Sequence, residues 1–183
     1  MKKSLHIAAI LLIAIVAVPA FAAPAILQTG TSELGVAGFI EFSDEVDLSL
    51  TYGYFVTDAI EIKGIAAGSW IDQGDLGDAS EFGIGGGVDY HIFQMATDVL
   101  VPYVTGAAGY YRNDVDPGIS ALDTGATDGF SIDAGVGVKY FMASNVALNV
   151  ALKWQWNSED VYLDKDDPKD NRVVLPIGLN FYF

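Results

Sequence analysis

The sequence contains no cysteine among its 183 residues. A chain without thiols forms no disulfide, no zinc–thiolate centre and no thiol nucleophile, so these three kinds of site are excluded. Basic residues are also few, with nine Lys and Arg against 24 Asp and Glu and a formal net charge of −15. Because nucleic acids bind to basic surfaces, we expect no nucleic acid partner.

Long apolar runs are missing from most of the chain. Beyond residues 1–22, no apolar run approaches the roughly 18 residues that indicate a membrane-spanning helix. The mean hydropathy is nevertheless +0.34, which is unusually apolar for a soluble protein with this many acidic residues. A transmembrane β-barrel combines these two properties, because its lipid-facing residues occupy alternate positions of many strands.

The first residues have the pattern of a secretory signal. Two lysines precede an apolar core at Ile7 to Val18, and Ala20 to Ala22 form a small-x-small cleavage site. The apolar stretch is shorter than the roughly 20 residues of a spanning helix. We therefore predict a cleaved signal peptide at residues 1–22, export through the inner membrane, and a single domain at residues 23–183. An uncleaved membrane anchor is the alternative.

Alternation of apolar with polar or very small residues continues from Ser32 onward, and this period of two predicts strands with two different faces. Between Phe130 and Tyr140, every second residue is apolar, and the residues between them are Ser, Asp, Gly or Lys. Eight such segments are predicted, at 32–43, 45–55, 59–71, 81–92, 99–112, 128–141, 145–157 and 171–183. Each is long enough for the roughly 9–11 residues of a tilted membrane-crossing strand. The prediction is an all-β fold, an eight-stranded antiparallel up-and-down transmembrane β-barrel.

The connections between these segments alternate in length, which predicts the orientation of the barrel. Short turns expected at the periplasmic end lie at 56–58, 94–98 and 142–144, and longer segments expected outside lie at 72–80, 113–127 and 158–170. The longer segments are rich in Asp and Glu. They form either a solvated, mutually repulsive coat or a surface that divalent cations bridge to lipopolysaccharide phosphates. An adhesive, host-interaction surface on segments 113–127 and 158–170 is a further hypothesis.

Several of these features together resemble a known family. The signal, the Tyr-Phe hairpins at Tyr54 and Tyr140, and the ending Asn180-Phe181-Tyr182-Phe183 are similar to the small outer-membrane β-barrel superfamily of OmpA-type and OmpX-type proteins. The resemblance implies a location in the outer membrane of a Gram-negative cell. It also implies insertion by the barrel-assembly machinery, which recognises alternating apolar residues in a last strand with a terminal aromatic. The residues that match this assembly signal are Ile177, Leu179, Phe181 and Phe183.

Charged residues recur on the face predicted to point inward. Eight strands enclose an interior that side chains just fill, so an open water pore is not expected. The predicted inward charges are Glu33, Glu41, Glu61, Lys63, Asp89, Asp133, Lys139, Lys153 and Arg172. Buried charges must be paired, so we predict an ion-pair plug in a structural or surface protein, expected to be a monomer. A gated, porin-like channel for small solutes is the alternative.

Aromatic and glycine residues are also placed regularly along the strands. Tyr52, Tyr54 and Tyr140 at one end, and Trp154 and Trp156 at the other, are predicted to form interfacial girdles. Phe55, Phe141 and Tyr111 are assigned to the same two bands. Alternate inward glycines are predicted to make room for opposing side chains, because no helix follows them as a nucleotide-binding loop would require. These glycines are Gly83, Gly85, Gly87, Gly135 and Gly137.

Catalytic and metal-binding patterns are not apparent. His91 is the single histidine that remains after removal of the predicted signal, and its expected place at the periplasmic end gives it no triad partners. We therefore predict no enzyme activity, no metal and no cofactor, with His91 as a hydrogen-bonded structural residue. Two details stay open: which face of Leu100 to Tyr111 points inward, and whether Pro176 creates a bulge or a missing ladder bond in the last strand.

Overall fold

The computed structural model describes residues 27–38, 45–72, 78–116, 127–159, 162–164 and 167–183. The predicted signal peptide, Glu41 and part of each longer connection lie outside these ranges. Within them the chain is all β apart from one short 3-10 turn at Phe93–Met95. No helix of the described residues is long and apolar enough to span a membrane.

Eleven strands make up the described fold. They are β1 (Ser32–Gly38), β2 (Glu45–Phe55), β3 (Ile60–Asp72), β4 (Asp78–His91), β5 (Leu100–Asp116), β6 (Thr127–Ala143), β7 (Val146–Asn157), β8 (Tyr162–Asp164), β9 (Asp167–Lys169), β10 (Asn171–Val174) and β11 (Ile177–Tyr182). Strands β8 and β9 form a separate hairpin between β7 and β10.

The remaining strands close into an antiparallel barrel. Each of β1 to β6 pairs with the next strand along the chain, and β10 and β11 together form the eighth barrel strand against β7. Closure comes from β11 against β1, where Leu34 is opposite Phe181. A closed sheet leaves no edge strand with unpaired backbone groups. The predicted eight-stranded antiparallel barrel is therefore confirmed.

The strand bounds agree with the sequence prediction to within a few residues, except near the longer connections. Strands β5 and β6 each contain 17 residues and remain paired out to Asn113 and Thr127. A bilayer crossing needs only about 9–11 residues, so the β5–β6 hairpin projects beyond the crossing length at the end with the long connections. Segment 113–127, predicted as a loop, is therefore partly strand, and residues 117–126 lie outside the described part.

Pro176 interrupts the last barrel strand, as predicted. Val174 is opposite Lys153, and Ile177 is opposite Val150, so the register is the same on both sides of the interruption. No residue is inserted there, and the effect is therefore missing pairing rather than a bulge. The Pro176 carbonyl still accepts a hydrogen bond from the backbone N–H of Ala151 at 3.1 Å. Proline can make this bond because it lacks only the donor.

The two faces of the sheet differ as the alternation requires. The outward residues of most strands are large and exposed to the surroundings of the barrel, including Leu50, Tyr52, Tyr54, Ile62, Phe82, Ile84, Val104, Phe130, Ile132, Val136, Leu152, Trp154, Val173 and Phe181. In β5, the strand with an undecided face, Val101, Tyr103 and Thr105 point inward and are buried.

Three aromatic residues were assigned wrongly to the outward bands. Phe55, Tyr111 and Phe141 are buried inside the barrel. Each directly follows a tyrosine that points outward, and successive strand residues point to opposite faces. The alternation of these strands therefore places the tyrosine on the outward face and the aromatic residue after it on the inward face.

Inward glycines lie beside the largest inward rings. Gly137 is opposite Tyr103, and Gly129 is opposite Tyr111, in the pairing of β5 with β6. A Cβ atom built on Gly137 would approach ring atoms of Tyr103 to 2.5–2.6 Å, and one on Gly129 would meet Tyr111 equally closely. The rings of Tyr103 and Tyr111 therefore occupy the space that a side chain at Gly137 or Gly129 would need.

Replacing Gly137 with alanine tests this packing. We expect Gly137→Ala to lower the free energy of unfolding by about 1–3 kcal/mol, because overpacking displaces a buried ring. Folded barrels resist detergent and migrate differently on a gel before and after boiling, so the folded fraction is measured from band mobility across a urea series. Gly64→Ala is the matched control, since a Cβ there meets nothing within 4 Å. Equal stability of the two variants would contradict the packing argument.

Candidate functional site in the barrel interior

The barrel interior has two chemically different halves. We call the end with the connections 56–59, 92–99 and 144–145 the turn end, and the opposite end the loop end. Large, fully buried side chains concentrate at the turn end, whereas small residues and an open cavity occupy the loop end.

An ion-pair network, here called the turn-end cluster, consists of Glu33, Glu61, Lys63, Asp89 and Lys139. The Lys139 ammonium donates to Glu33 Oε2 at 2.5 Å and to Glu61 Oε2 at 2.9 Å. The Lys63 ammonium donates to Asp89 Oδ1 at 2.6 Å. Lys139 and Glu61 are both 0% exposed. Charge-assisted hydrogen bonds of this kind are what make such burial of ionised groups tolerable.

Four different strands supply the turn-end cluster. Glu33 lies on β1, Glu61 and Lys63 on β3, Asp89 on β4 and Lys139 on β6. Lys139 is 106 residues from Glu33 and 78 from Glu61 along the chain. The contacts therefore run across the lumen as well as along one ladder, and they connect strands that share no backbone hydrogen bonds.

Aromatic rings surround the Lys139 ammonium. Its Nζ atom lies 5.4 Å from the ring centre of Tyr103, 5.6 Å from that of Tyr182 and 5.8 Å from that of Phe55. Ring faces attract a cation at these distances, more strongly where water is excluded. The lysine is therefore held by two carboxylates and three rings.

Buried apolar residues pack together in the lumen beside this network. The group, here called the turn-end seal, consists of Leu27, Phe55, Val101, Phe141, Ala147 and Tyr182. Phe141 and Tyr182 stack with ring centres 5.2 Å apart, and Phe55 lies 6.5 Å from Tyr182. Leu27 precedes β1, so a residue outside the strands also belongs to this buried group.

The loop end contains a cavity of about 110 Å³. Glycine and serine form much of its wall, and its polar lining includes Asp47, Glu81, Asp133, Gln155 and Arg172. Gln155 bridges two of these groups, because its amide donates to Asp133 Oδ2 at 3.4 Å and its oxygen accepts from Arg172 Nε at 2.9 Å. The cavity is therefore a polar recess on the side opposite the seal.

The charges predicted for one plug fall into two groups. The structure brings Glu33, Glu61, Lys63, Asp89 and Lys139 together in the turn-end cluster. Asp133 and Arg172 instead line the loop-end cavity. Lys153 lies opposite Gly135, beyond the cluster, and Glu41 is outside the described residues.

His91 does not have the hydrogen bonds that the sequence interpretation gave it. The side chain is 1% exposed, and neither ring nitrogen has a hydrogen-bond partner within the described part of the chain. Its Nε2 atom lies 3.8 Å from Glu61 Oε2, which is too long for a hydrogen bond. The ring packs between Phe55 and Tyr103, with centres 5.0 and 5.8 Å away.

Several buried interior residues were not among the residues predicted from the sequence. Tyr103 donates its hydroxyl to Asn149 Oδ1 at 2.8 Å, and Asn180 and Tyr182 are buried beside Glu33. The alternation of the last segment already put Asn180 and Tyr182 on the inward face. Tyr103 had no such signal of its own, because both faces of its strand are apolar or small, although an inward glycine on the next strand marks the space it needs.

The predicted assembly-signal and girdle residues lie on the outward face. Phe181 and Phe183 are exposed, and Ile177 and Leu179 are half-buried on the same side of β11. Tyr52, Tyr54, Tyr140 and Trp154 are exposed, and Trp156 is half-buried. The Trp156 indole donates to Asp170 Oδ2 at 2.8 Å, and the Asn171 amide donates to Oδ1 at 2.6 Å. The Asn171 bond and then the Trp156 bond lower the pKa of the Asp170 carboxyl below its usual range.

Comparisons with known proteins identify the fold. No protein-family model and no curated protein sequence matches the chain. Neisserial surface protein A is 16% identical, over 84% of this chain and 95% of that chain, with a TM-score of 0.58. The N-terminal β-barrel domain of Pseudomonas aeruginosa OprF is 22% identical, over 85% and 98%, with a TM-score of 0.54. The P. aeruginosa outer membrane protein OprG is 15% identical, over 85% and 97%, with a TM-score of 0.57.

The chain therefore has the fold of the small outer-membrane β-barrels, as its resemblance to that superfamily implied. The likeness covers most of each solved barrel, so it describes the whole barrel rather than one hairpin. At these identities it establishes the fold.

Removing the central cation tests the energetics of the turn-end cluster. We expect Lys139→Met to lower the free energy of unfolding by about 3–5 kcal/mol, because it leaves Glu33 and Glu61 buried without their cation. The urea midpoint of the gel-mobility change measures this loss. Arg112→Met, which removes an exposed cation from β5, is the control and should leave the midpoint nearly unchanged.

A combined variant separates lost pairing from lost packing. Adding Glu33→Gln and Glu61→Gln to Lys139→Met should recover most of the stability, since no uncompensated charge then remains. If Lys139→Met alone is as stable as the parent chain, the ion pairs of Lys139 do not stabilise the barrel.

Proposed function

We propose that the chain is an integral protein of the bacterial outer membrane with a structural, surface-exposed role and a lumen that does not conduct. The turn-end seal and the ion-pair cluster beside it carry this proposal. A membrane location is supported first by the outer surface of the barrel, and the lack of conduction is supported by its interior.

The outer surface is apolar over the length of the strands. Phe130 and Val173 are 66% and 65% exposed, and they belong to a set of outward aliphatic and aromatic residues on all eight barrel strands. A water-soluble protein rarely exposes a contiguous apolar surface of this extent. In a bilayer the same surface contacts lipid tails, and the outward tyrosines and tryptophans lie where headgroups begin.

The interior of the turn end leaves no space for hydrated ions. Phe55, Phe141 and Lys139 are each 0% exposed, and they contact neighbours from opposite sides of the lumen. The loop-end cavity does not reach these three residues, since none of them is in its lining. An ion entering from the loop end would have to separate Lys139 from its carboxylates in a low-dielectric interior, which opposes passage.

The same proposal includes two partners and no catalytic activity. The outward alternation of Ile177, Leu179, Phe181 and Phe183 is the feature that the barrel-assembly machinery would recognise, and the acidic loop segments would meet lipopolysaccharide through divalent cations. His91 lies at the sealed turn end among aromatic rings. That position keeps it from lipid substrates at the outer surface, which supports a role other than catalysis.

Single-channel recording tests the closed lumen. Pure protein incorporated into a planar lipid bilayer should give no steady conductance steps at moderate voltage, because the seal blocks the axis. Incorporation is verified by the gel-mobility difference between heated and unheated samples, and a trimeric porin serves as the positive control. Reproducible steps from the pure protein would overturn the non-conducting lumen and favour the narrow channel instead.

A further inference from the structure

Three buried side chains next to the seal form a compact set of potential metal ligands. Glu61, Asp89 and His91 each offer one atom, and these atoms all lie within 4.8 Å of one another. All three side chains are almost completely buried. Exposed acidic groups, by contrast, commonly occur without a bound ion.

The sheet itself places these three residues together. Glu61 on β3 is directly opposite Asp89 on β4, and His91 follows Asp89 by two positions on the same inward face. Directly opposed residues have Cβ atoms about 4.5–5.5 Å apart. The backbone N–H of His91 also donates to the Ala59 carbonyl at 2.8 Å, which continues the ladder to that residue. The arrangement is therefore fixed by backbone pairing.

Two of these three side chains have buried polar atoms without hydrogen-bond partners. Within the described residues, Glu61 Oε1 and both ring nitrogens of His91 have no hydrogen-bond partner. Burying such atoms without partners costs about 1–3 kcal/mol each, and native structures avoid it. Phe55 and Tyr103 pack against the imidazole, with ring centres 5.0 and 5.8 Å from its own. A neutral imidazole has a hydrogen on one ring nitrogen and a lone pair on the other, so one nitrogen of His91 can bind a cation.

The charges around this set are those of the turn-end cluster and of Lys153. Three carboxylates, from Glu33, Glu61 and Asp89, face two ammonium groups, from Lys63 and Lys139, and Lys153 also interacts with Asp89. The turn-end cluster itself therefore has one more carboxylate than ammonium group.

The Glu61 oxygen that lies 3.8 Å from His91 Nε2 is Oε2, which also accepts from Lys139, whereas Oε1 lies beside Gly53. A carboxylate oxygen has two lone pairs, so Oε2 can accept from Lys139 and still bind an ion. Lys139 also has a second salt bridge, to Glu33 at 2.5 Å. The lysine therefore keeps a carboxylate partner when an ion binds Glu61.

We propose that Glu61, Asp89 and His91 bind one divalent transition-metal ion of the zinc class inside the barrel. One imidazole nitrogen with two carboxylate oxygens is a ligand set that Zn²⁺ accepts, whereas Ca²⁺ and Mg²⁺ prefer oxygen ligands alone. Ligand atoms of a tetrahedral zinc site are about 3.4 Å apart, so the side chains close by roughly 1 Å on binding. The ion would join β3 to β4 next to the seal, whether or not the lumen conducts.

Metal analysis of the full chain tests this site. A His6→Gln background leaves His91 as the single imidazole, since the sequence has two histidines. This untagged protein is stripped with a chelator and refolded in detergent with Zn²⁺ and excess Mg²⁺, which occupies the acidic loops. After dialysis, elemental analysis should find about one Zn²⁺ per chain. With Cu²⁺ as the probe, the electron paramagnetic resonance spectrum should show coupling to one imidazole nitrogen.

Matched variants distinguish the site from adventitious binding. His91→Gln and Glu61→Gln should each weaken Zn²⁺ binding by at least about 10-fold, whereas Asp133→Asn, which removes an interior carboxylate at the loop end, should leave it unchanged. The gel-mobility assay confirms that each variant folds. The Cu²⁺ spectrum needs no variant of the site itself. Absence of bound zinc in the parent protein, equal binding by His91→Gln, or a copper spectrum without nitrogen coupling would overturn the proposal.

Discussion

The narrowness of an eight-stranded lumen is the constraint on which the rest of the structure depends. Side chains just fill such an interior, so every inward residue meets the opposite wall and must match it. Lys139 illustrates the consequence, because its ammonium has no access to water and takes its counter-charges from β1 and β3. In a wider barrel, water would hydrate the same lysine, and its charge would not need carboxylate partners.

The same constraint explains how the inward face is divided along the axis. Toward the loop end the inward positions are small, with Gly83, Gly85 and Ser131 lining the cavity. Toward the turn end they are large, with Phe55, Tyr103 and Phe141 buried. The size of inward side chains along each strand therefore decides which half of the interior is filled, and the charged cluster lies where the rings already exclude water and strengthen its attractions.

Much of the fold could be predicted from the sequence because a half-buried strand repeats every two residues. That period determined the eight strands and most inward charges, and the missing N–H of Pro176 predicted the break between β10 and β11. It could not determine register across the barrel, so it did not show that Lys139 would meet Glu33 and Glu61 while Asp133 and Arg172 remained apart from them. Where both faces are apolar, as around Tyr103, the period carries no information about direction.

Crowding also accounts for the unusual state of His91. An imidazole in a roomier interior could turn toward a carbonyl or a water molecule, but the rings of Phe55 and Tyr103 restrict this one to an orientation near Glu61 and Asp89. The turn end thus concentrates charge and aromatic surface in one place and leaves specific lone pairs without protein partners. A bound ion would engage one imidazole nitrogen and the nearby carboxylate oxygens without enlarging the lumen, so a filled interior is compatible with a buried ligand site.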